Sequence, residues 1–259
     1  MLAILNRPRA AGLALPVMAC LALAGCATTQ PQTVNDPLEP VNRAVFAFNN
    51  TVDGMFLEPA AIMYRDFIPE FGRLRIRNFL ANLREPVTFV NQMLQGKGGE
   101  AVDTFGRFAT NTTLGVGGLF DVGTEAGLPR VPQQDFGLTL GTYGVAGGPY
   151  LMLPVLGPSN PRDLTGRLVD ALALSPVPEV LGYGDQALAV AVVQNGAETV
   201  DFRSQNIESF RELKETSVDL YATVRSAYLQ RRAALIRGDG ETGGPADDSL
   251  YDDPLASPE

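Results

Sequence analysis

One residue in this chain stands in a setting that predicts covalent chemistry. Cys26 follows Leu23-Ala24-Gly25, behind a basic end (Arg7, Arg9) and a short apolar run over residues 10–24 that Pro16 interrupts. Basic, then apolar, then small residues before a cysteine is the pattern of a bacterial lipoprotein signal, and the run is too short to span a bilayer. Cleavage before Cys26 would leave its sulfur to carry diacylglycerol and its amine a further acyl chain. Each buried CH2 contributes about 0.8 kcal/mol, so one chain anchors marginally and two or three hold permanently. Ala27, not Asp, follows the cysteine, which favours the outer over the inner membrane. Residues 1–25 are thus expected to be signal peptide and 26–34 a lipidated polar tether.

Other covalent chemistry lacks its reagents. The chain has no histidine, which removes Ser-His-Asp and Cys-His triads, the commonest general base and the usual zinc ligand. Cys20 leaves with the signal and Cys26 is acylated, so neither thiol nucleophile nor disulfide remains. There is no G-x-S-x-G. Acidic pairs such as Asp36 with Glu39 read as capping and solvated residues. The glycine-rich Leu114-Gly115-Val116-Gly117-Gly118-Leu119-Phe120-Asp121 matches neither phosphate-binding fingerprint and points to close packing or membrane contact. An enzyme would need a Ser-Lys or double-carboxylate site that nothing marks; no cofactor and no metal site is expected.

Charge narrows the partners. The net charge is −9, and seven acids with no Lys or Arg fall in residues 238–259, a tail expected to be disordered. Without the tail and signal the chain is nearly balanced, with 18 basic against 22 acidic residues. Nucleic acid is not an expected partner.

The positioning elements centre on residues 136–161, 26 residues without a charge that hold six Gly and four Pro. That outruns the roughly 20 apolar residues of a spanning helix, yet such Gly and Pro content forbids one. Two readings stay open: a bent loop buried in a core, or the wall of an apolar passage, since irregular backbone at membrane depth survives only buried or lining a wet cavity. Before it, Val41, Val45, Phe48 and Val52 predict an amphipathic helix from Glu39, ended by Gly54 and Pro59. Asn42, Asn49 and Asn50 sit in it as poor helix formers that line polar space or cap a break. Basic residues concentrate at Arg65, Arg73, Arg75, Arg77, Arg84 and Lys97, either to meet lipid phosphates near a membrane surface or as a solvated helix face. The helix through Phe71 and Leu83 is expected to break at Glu85-Pro86, with a short helix over 87–94 and another over 99–113. After the loop a helix runs from Asn160-Pro161 to about Leu174. Ser175-Pro176-Val177-Pro178 and Gly182-Tyr183-Gly184 connect to a short element over 186–195, and one long helix spans 204–236.

The central words resemble a known signature. Phe136-Gly137, Thr139-Leu140-Gly141, Tyr143-Gly144-Val145, Gly148-Pro149-Tyr150, Leu153-Pro154, Gly157-Pro158-Ser159 and Arg162-Asp163 are similar to the pattern of the MlaA/VacJ family of outer-membrane lipoproteins. Asn35-Asp36-Pro37-Leu38-Glu39, Asn42-Arg43, Phe46 and Phe48-Asn49 match its opening. Arg65-Asp66, Asn78-Phe79, Asn82-Leu83, Glu85-Pro86, Asn91, Leu94-Gln95-Gly96, Arg107-Phe108, Asn111-Thr112 and Gly115 to Asp121 match the middle. The resemblance covers about residues 35–237.

It implies a mainly α, single ring-like helical domain with a Gly/Pro-rich central loop, embedded in the inner leaflet of the outer membrane. A central channel would take mislocalised phospholipids from the outer leaflet and hand them to a soluble periplasmic carrier, with trimeric porins as neighbours. The expected passage is Tyr143, Gly144, Gly148, Pro149, Tyr150, Leu151, Leu153 and Val155, with Phe48, Asn49 and Asn50 as a nearby control point. The faces at 41–52 and 114–120 would touch lipid. The alternative is a structural envelope lipoprotein that binds no lipid beyond its own anchor.

Overall fold

A computed structural model of the chain describes residues 36–176, 182 and 186–239. Cys26, the signal, the tether, the tail beyond 239 and the connectors at 177–178 and 183–184 lie outside the described residues. The fold is mainly α-helical, with one two-stranded antiparallel sheet among the described residues.

Asp36 opens the fold by accepting the Leu38 N–H at 3.0 Å, ahead of helix α1 (Glu39–Val52). Gly54 and Pro59 do not end this element. The chain runs through a π turn (Asp53–Leu57) directly into α2 (Glu58–Phe67), with Pro59 in its first turn. The Glu58 N–H bonds the Asp53 carbonyl five residues back, and this wider turn makes room at the join for a ring that a regular helix interior would reject. Arg203 clamps the same turn, donating to Asp53 and to Glu58, both at 2.9 Å.

Pro86 likewise fails to break its helix: α3 (Glu70–Leu94) is one element of 25 residues. An interior proline costs about 3 kcal/mol; here the flanking side chains are held from outside, Arg84 by Glu198 at 2.6 Å and Glu85 beside Arg107 at 3.6 Å. Helix α4 (Gly98–Thr113) packs against α3, and the short α5 (Val122–Glu125) is capped by Asp121. Late in the chain, α8 (Ala187–Gln205) extends well past residue 195. The expected helix over 204–236 is two, α9 (Ile207–Thr216) and α10 (Leu220–Arg237). Ser217 adopts extended backbone and Asp219 starts α10 by accepting the Ala222 N–H, a capping preference that outweighs apolar periodicity. Gly238, with φ of 83°, closes α10 in the left-handed conformation usual for such an end.

The burial pattern inverts that of a water-soluble bundle. In α4 the buried positions are Ala101, Thr104, Arg107 and Asn111, while Val102 and Phe105 stand 70% and 56% exposed. Helix α3 buries Asn78, Asn82, Thr88, Asn91 and Gln92 alongside Leu74, Leu80 and Val87, and turns Phe71, Phe79, Met93 and Leu94 outward. The stripe of α1 divides: Val45 and Phe46 pack inward, Val41 and Phe48 are exposed, and its one buried residue is Asn42. Met55, Phe56, Met63 and Phe67 continue the exposed apolar surface along the π turn and α2. Monomers in water rarely show large contiguous apolar patches. No helix among the described residues is long and apolar enough to cross a membrane.

Candidate functional site

The uncharged stretch folds into a helix, a turn and a hairpin. Asp135 accepts the Leu138 N–H and starts α6 (Phe136–Thr142). Gly144 and Gly148, both at positive φ, carry the chain around to β1 (Leu151–Leu153) and β2 (Gly157–Ser159), paired as Leu151 with Ser159 and Leu153 with Gly157. Asn160 then caps α7 (Pro161–Val169), which runs on as a π turn (Asp170–Leu174). Helices α6 and α7 approach so closely that a Cβ on Gly166 would lie 2.2 Å from the Gly137 nitrogen. No larger residue fits that crossing.

A lone two-stranded hairpin is marginal in water. Here its outer edge is satisfied by side chains. Asn42 donates to the Tyr150 carbonyl at 2.9 Å and accepts the Met152 N–H at 2.9 Å. Two helical turns on, Asn49 donates to the Leu153 carbonyl at 2.9 Å and accepts the Val155 N–H at 2.8 Å. Each primary amide presents the donor and acceptor that a neighbouring strand would offer. Two of the α1 asparagines, Asn42 and Asn49, thus hold the hairpin.

Behind the hairpin, Tyr150, Met152 and Tyr221 form a small buried core with Val45, Phe46, Val224 and Tyr228 around it. Tyr150 sits edge-on to Tyr221 and Tyr228, with 6.0 Å between ring centres in each case. Buried carboxylates tie this core to the termini of the described region. Asp36 accepts from the Tyr221 hydroxyl and from Asn42. Burial opposes its ionisation, but Tyr221, Asn42, the Leu38 N–H and Arg225 outweigh that and hold its pKa below the ordinary value. Asp163 accepts from Asn160, Tyr228 and Arg162 and pairs with Arg232 at 2.8 Å. Against its burial, Arg232 and Tyr228 keep it a carboxylate with lowered pKa. Asp170, buried and accepting from Asn91 and the Phe136 N–H, is pushed up to about 6 by desolvation.

The expected passage residues part company around this core. Tyr150 is buried and Leu151 and Leu153 are half-buried, whereas Tyr143, Gly144, Gly148, Pro149 and Val155 are exposed. Tyr143 donates its hydroxyl to the Leu94 carbonyl at 2.5 Å, bringing the turn to the end of α3. Phe48 lies 52% exposed beside Asn49. Val155, at the hairpin tip, has φ of 65° and is 72% exposed. That backbone is a true outlier for a β-branched residue, of order 1–3 kcal/mol, and the Asn49 amide meets its N–H. Asn42 and Asp163 carry more of the site than the sequence assigned them. The legible signal was a pair of asparagines seven residues apart in a helix, where propensity disfavours them.

The described residues hold no cluster of three or more metal-ligating side chains, and the buried acids are spent on arginine, tyrosine and asparagine. The profile of the MlaA lipoprotein family matches residues 34–235. A Haemophilus influenzae protein named "Intermembrane phospholipid transport system lipoprotein MlaA" is 38% identical over 220 residues, covering 83% of this chain and 86% of its own. The Escherichia coli K12 protein of the same name is 38% identical over 223 residues, covering 83% and 85%. A solved structure described as "Structural basis for maintenance of bacterial outer membrane lipid asymmetry" superposes with a TM-score of 0.68 at 38% identity, covering 78% of this chain and 99% of that one. With its latched hairpin, its outward apolar faces and this likeness over most of its length, the chain belongs to the MlaA lipoprotein family.

Proposed function

We propose that this chain is the outer-membrane lipoprotein of an intermembrane phospholipid transport system, held by acyl chains on Cys26 and by its exposed apolar faces in the periplasm-facing leaflet. It takes mislocalised phospholipid from the outer leaflet and passes it to a soluble periplasmic carrier, with a trimeric porin as neighbour. The observation that carries this reading is the inverted packing: Thr104, Arg107 and Asn111 inside α4 and Val102 and Phe105 outside it. A polar interior inside an apolar coat suits a protein lodged in lipid that offers head groups a polar route. The residues from Tyr143 to Val155, latched to α1, form the passage wall next to Phe48, Asn49 and Asn50, and no covalent step is asked of any of them.

The test is a single-Asp scan through Leu151, Met152, Val155 and Leu156, following protein level and outer-leaflet phospholipid separately. Met152 is buried and a charge there costs several kcal/mol, so Met152→Asp depletes the protein. Val155→Asp and Leu156→Asp, at sites 72% and 55% exposed, keep the protein and lose lipid asymmetry. If asymmetry fails only where the protein is depleted, the hairpin is packing and not passage.

A further inference from the structure

Away from the hairpin, the seam between α3 and α4 encloses a small polar cavity. Asn78, Ala81, Asn82 and Glu85 line it from α3, and Arg107 and Asn111 from α4. It leaves about 10 Å³ open to the centre of a water molecule, room for one. Asn78, Asn82 and Glu85 stand at the helical spacing i, i+4 and i+7, so one face of α3 turns these oxygen-bearing side chains toward it.

The unpartnered groups here are acceptors. The side-chain oxygens of Asn78 and Asn82 are buried and accept no hydrogen bond. Their nitrogens are engaged with the chain after α3, Asn82 donating to the Thr112 hydroxyl at 3.0 Å and Asn78 to the Leu119 carbonyl at 3.4 Å. Across the seam, Asn111 donates to Asp121 at 3.0 Å, and Arg107 donates to Asp121, Thr124 and the Leu128 carbonyl. Arg107 Nε stands 3.6 Å from the Glu85 carboxylate, beyond hydrogen-bond reach and a separation that a bridging water closes. The glycine-rich turn covers the site without sending it a donor side chain from Gly118. A Cβ there would lie 2.6 Å from the Asn82 side chain.

Two buried acceptors in so small a space select their occupant. A water molecule carries two hydrogens, one for each asparagine oxygen, and lone pairs for Arg107 Nε. A bare cation would suit the oxygens but not the charge, since Glu85 and Asp121 already face Arg107 and Arg130, two of each sign. Burial also disfavours the charged form of Glu85. We propose that this cavity is a binding site for one structural water, which bridges Asn78, Asn82 and the Glu85–Arg107 pair and so fastens the turn over residues 114–120 to α3.

The test is thermal unfolding of the full-length lipidated protein in detergent, with Ala81 replaced by two side chains of one shape. Ala81→Val fills the space with methyl groups, strands both oxygens and lowers the unfolding midpoint by roughly 4 °C or more. Ala81→Thr crowds the site equally at a similar helix penalty, but its hydroxyl donates in the water's place and recovers at least half of that loss. A midpoint that Ala81→Val leaves unchanged or raises marks a dry cavity and overturns the proposal. Equal losses in Ala81→Val and Ala81→Thr mark crowding alone and overturn it too. So does a wild-type midpoint that falls when choline chloride replaces sodium chloride, which would make the occupant a sodium ion. Should either variant fail to accumulate, a crystal structure of the wild type decides. An ordered water about 2.8 Å from both asparagine oxygens supports the site; a collapsed cavity, or one without density, overturns it.

Discussion

Asn49 and Val155, 106 positions apart in the chain, meet at 2.8 Å, the amide oxygen of a helix residue accepting the backbone N–H of a strained hairpin tip. With the 2.9 Å bond from Asn49 to the Leu153 carbonyl, this contact sets where the tip sits relative to α1. Asn42 does the same further back, where both partners are buried.

The two latches differ in what their loss costs. Asn42→Leu orphans the Met152 N–H and the Tyr150 carbonyl, each about 1–3 kcal/mol in a buried site. It also takes one donor from Asp36, which keeps Tyr221 and the Leu38 N–H, so the variant accumulates poorly. Asn49→Leu frees groups that water can reach and costs on the order of 1 kcal/mol. It accumulates normally, while the Val155 amide exchanges hydrogen faster and outer-leaflet phospholipid rises. An unchanged exchange rate at Val155 would show that something other than Asn49 positions the tip.

Glu85 gives the fold a pH dependence of unusual sign. Burial pushes its carboxyl up to about 7, with Arg107 at 3.6 Å opposing the shift only in part; Asp121 and Arg130 also face it. Since the folded pKa lies above the unfolded one, the stability is fully present below about 4.5 and is lost as pH rises through about 7. Wild-type protein therefore loses on the order of 2 kcal/mol from this group between pH 5 and pH 8. Glu85→Gln flattens the profile and is the more stable form at pH 8. Asp170, raised to about 6, adds a slope of the same sign at lower pH, so the informative quantity is the difference between wild type and variant across a thermal-melting series. A variant less stable than wild type at pH 8 would place the Arg107 pairing above the burial cost.

The anchor assigned to Cys26 is tested in cells. Cys26→Ser leaves the precursor uncleaved by the lipoprotein peptidase and unlabelled by radioactive palmitate. Undiminished labelling would move the acylation site.

Much of the local architecture was legible, because it rests on short-range rules. Asn160 caps the helix its Asn-Pro pair announced, and the helix expected over 99–113 runs over Gly98–Thr113. Asp36 stands outside the first helix, whose N-cap is Leu38, and bonds the Leu38 N–H. Element ends were not legible where distant residues decide them. Pro59 is absorbed by a π turn that Arg203 clamps from 150 positions away, and Pro86 lies in a helix gripped on either side by Glu198 and Arg107. Apolar periodicity also marks a stripe without saying which way it faces. In α4 the stripe through Val102 and Phe105 faces out, and the sign of that burial depends on the surrounding medium, which no spacing encodes. The chargeless length of 136–161 was plain, but its hairpin register depends on two asparagines a hundred residues upstream.

The outward-facing apolar coat has a consequence for the life of the molecule before it works. A protein whose coat is Val102, Phe105, Met55, Phe56 and Phe67 has no comfortable residence in water, where like surfaces find each other and aggregate. Concentrated in water the chain is therefore expected to self-associate through this coat, and added detergent or lipid to disperse it.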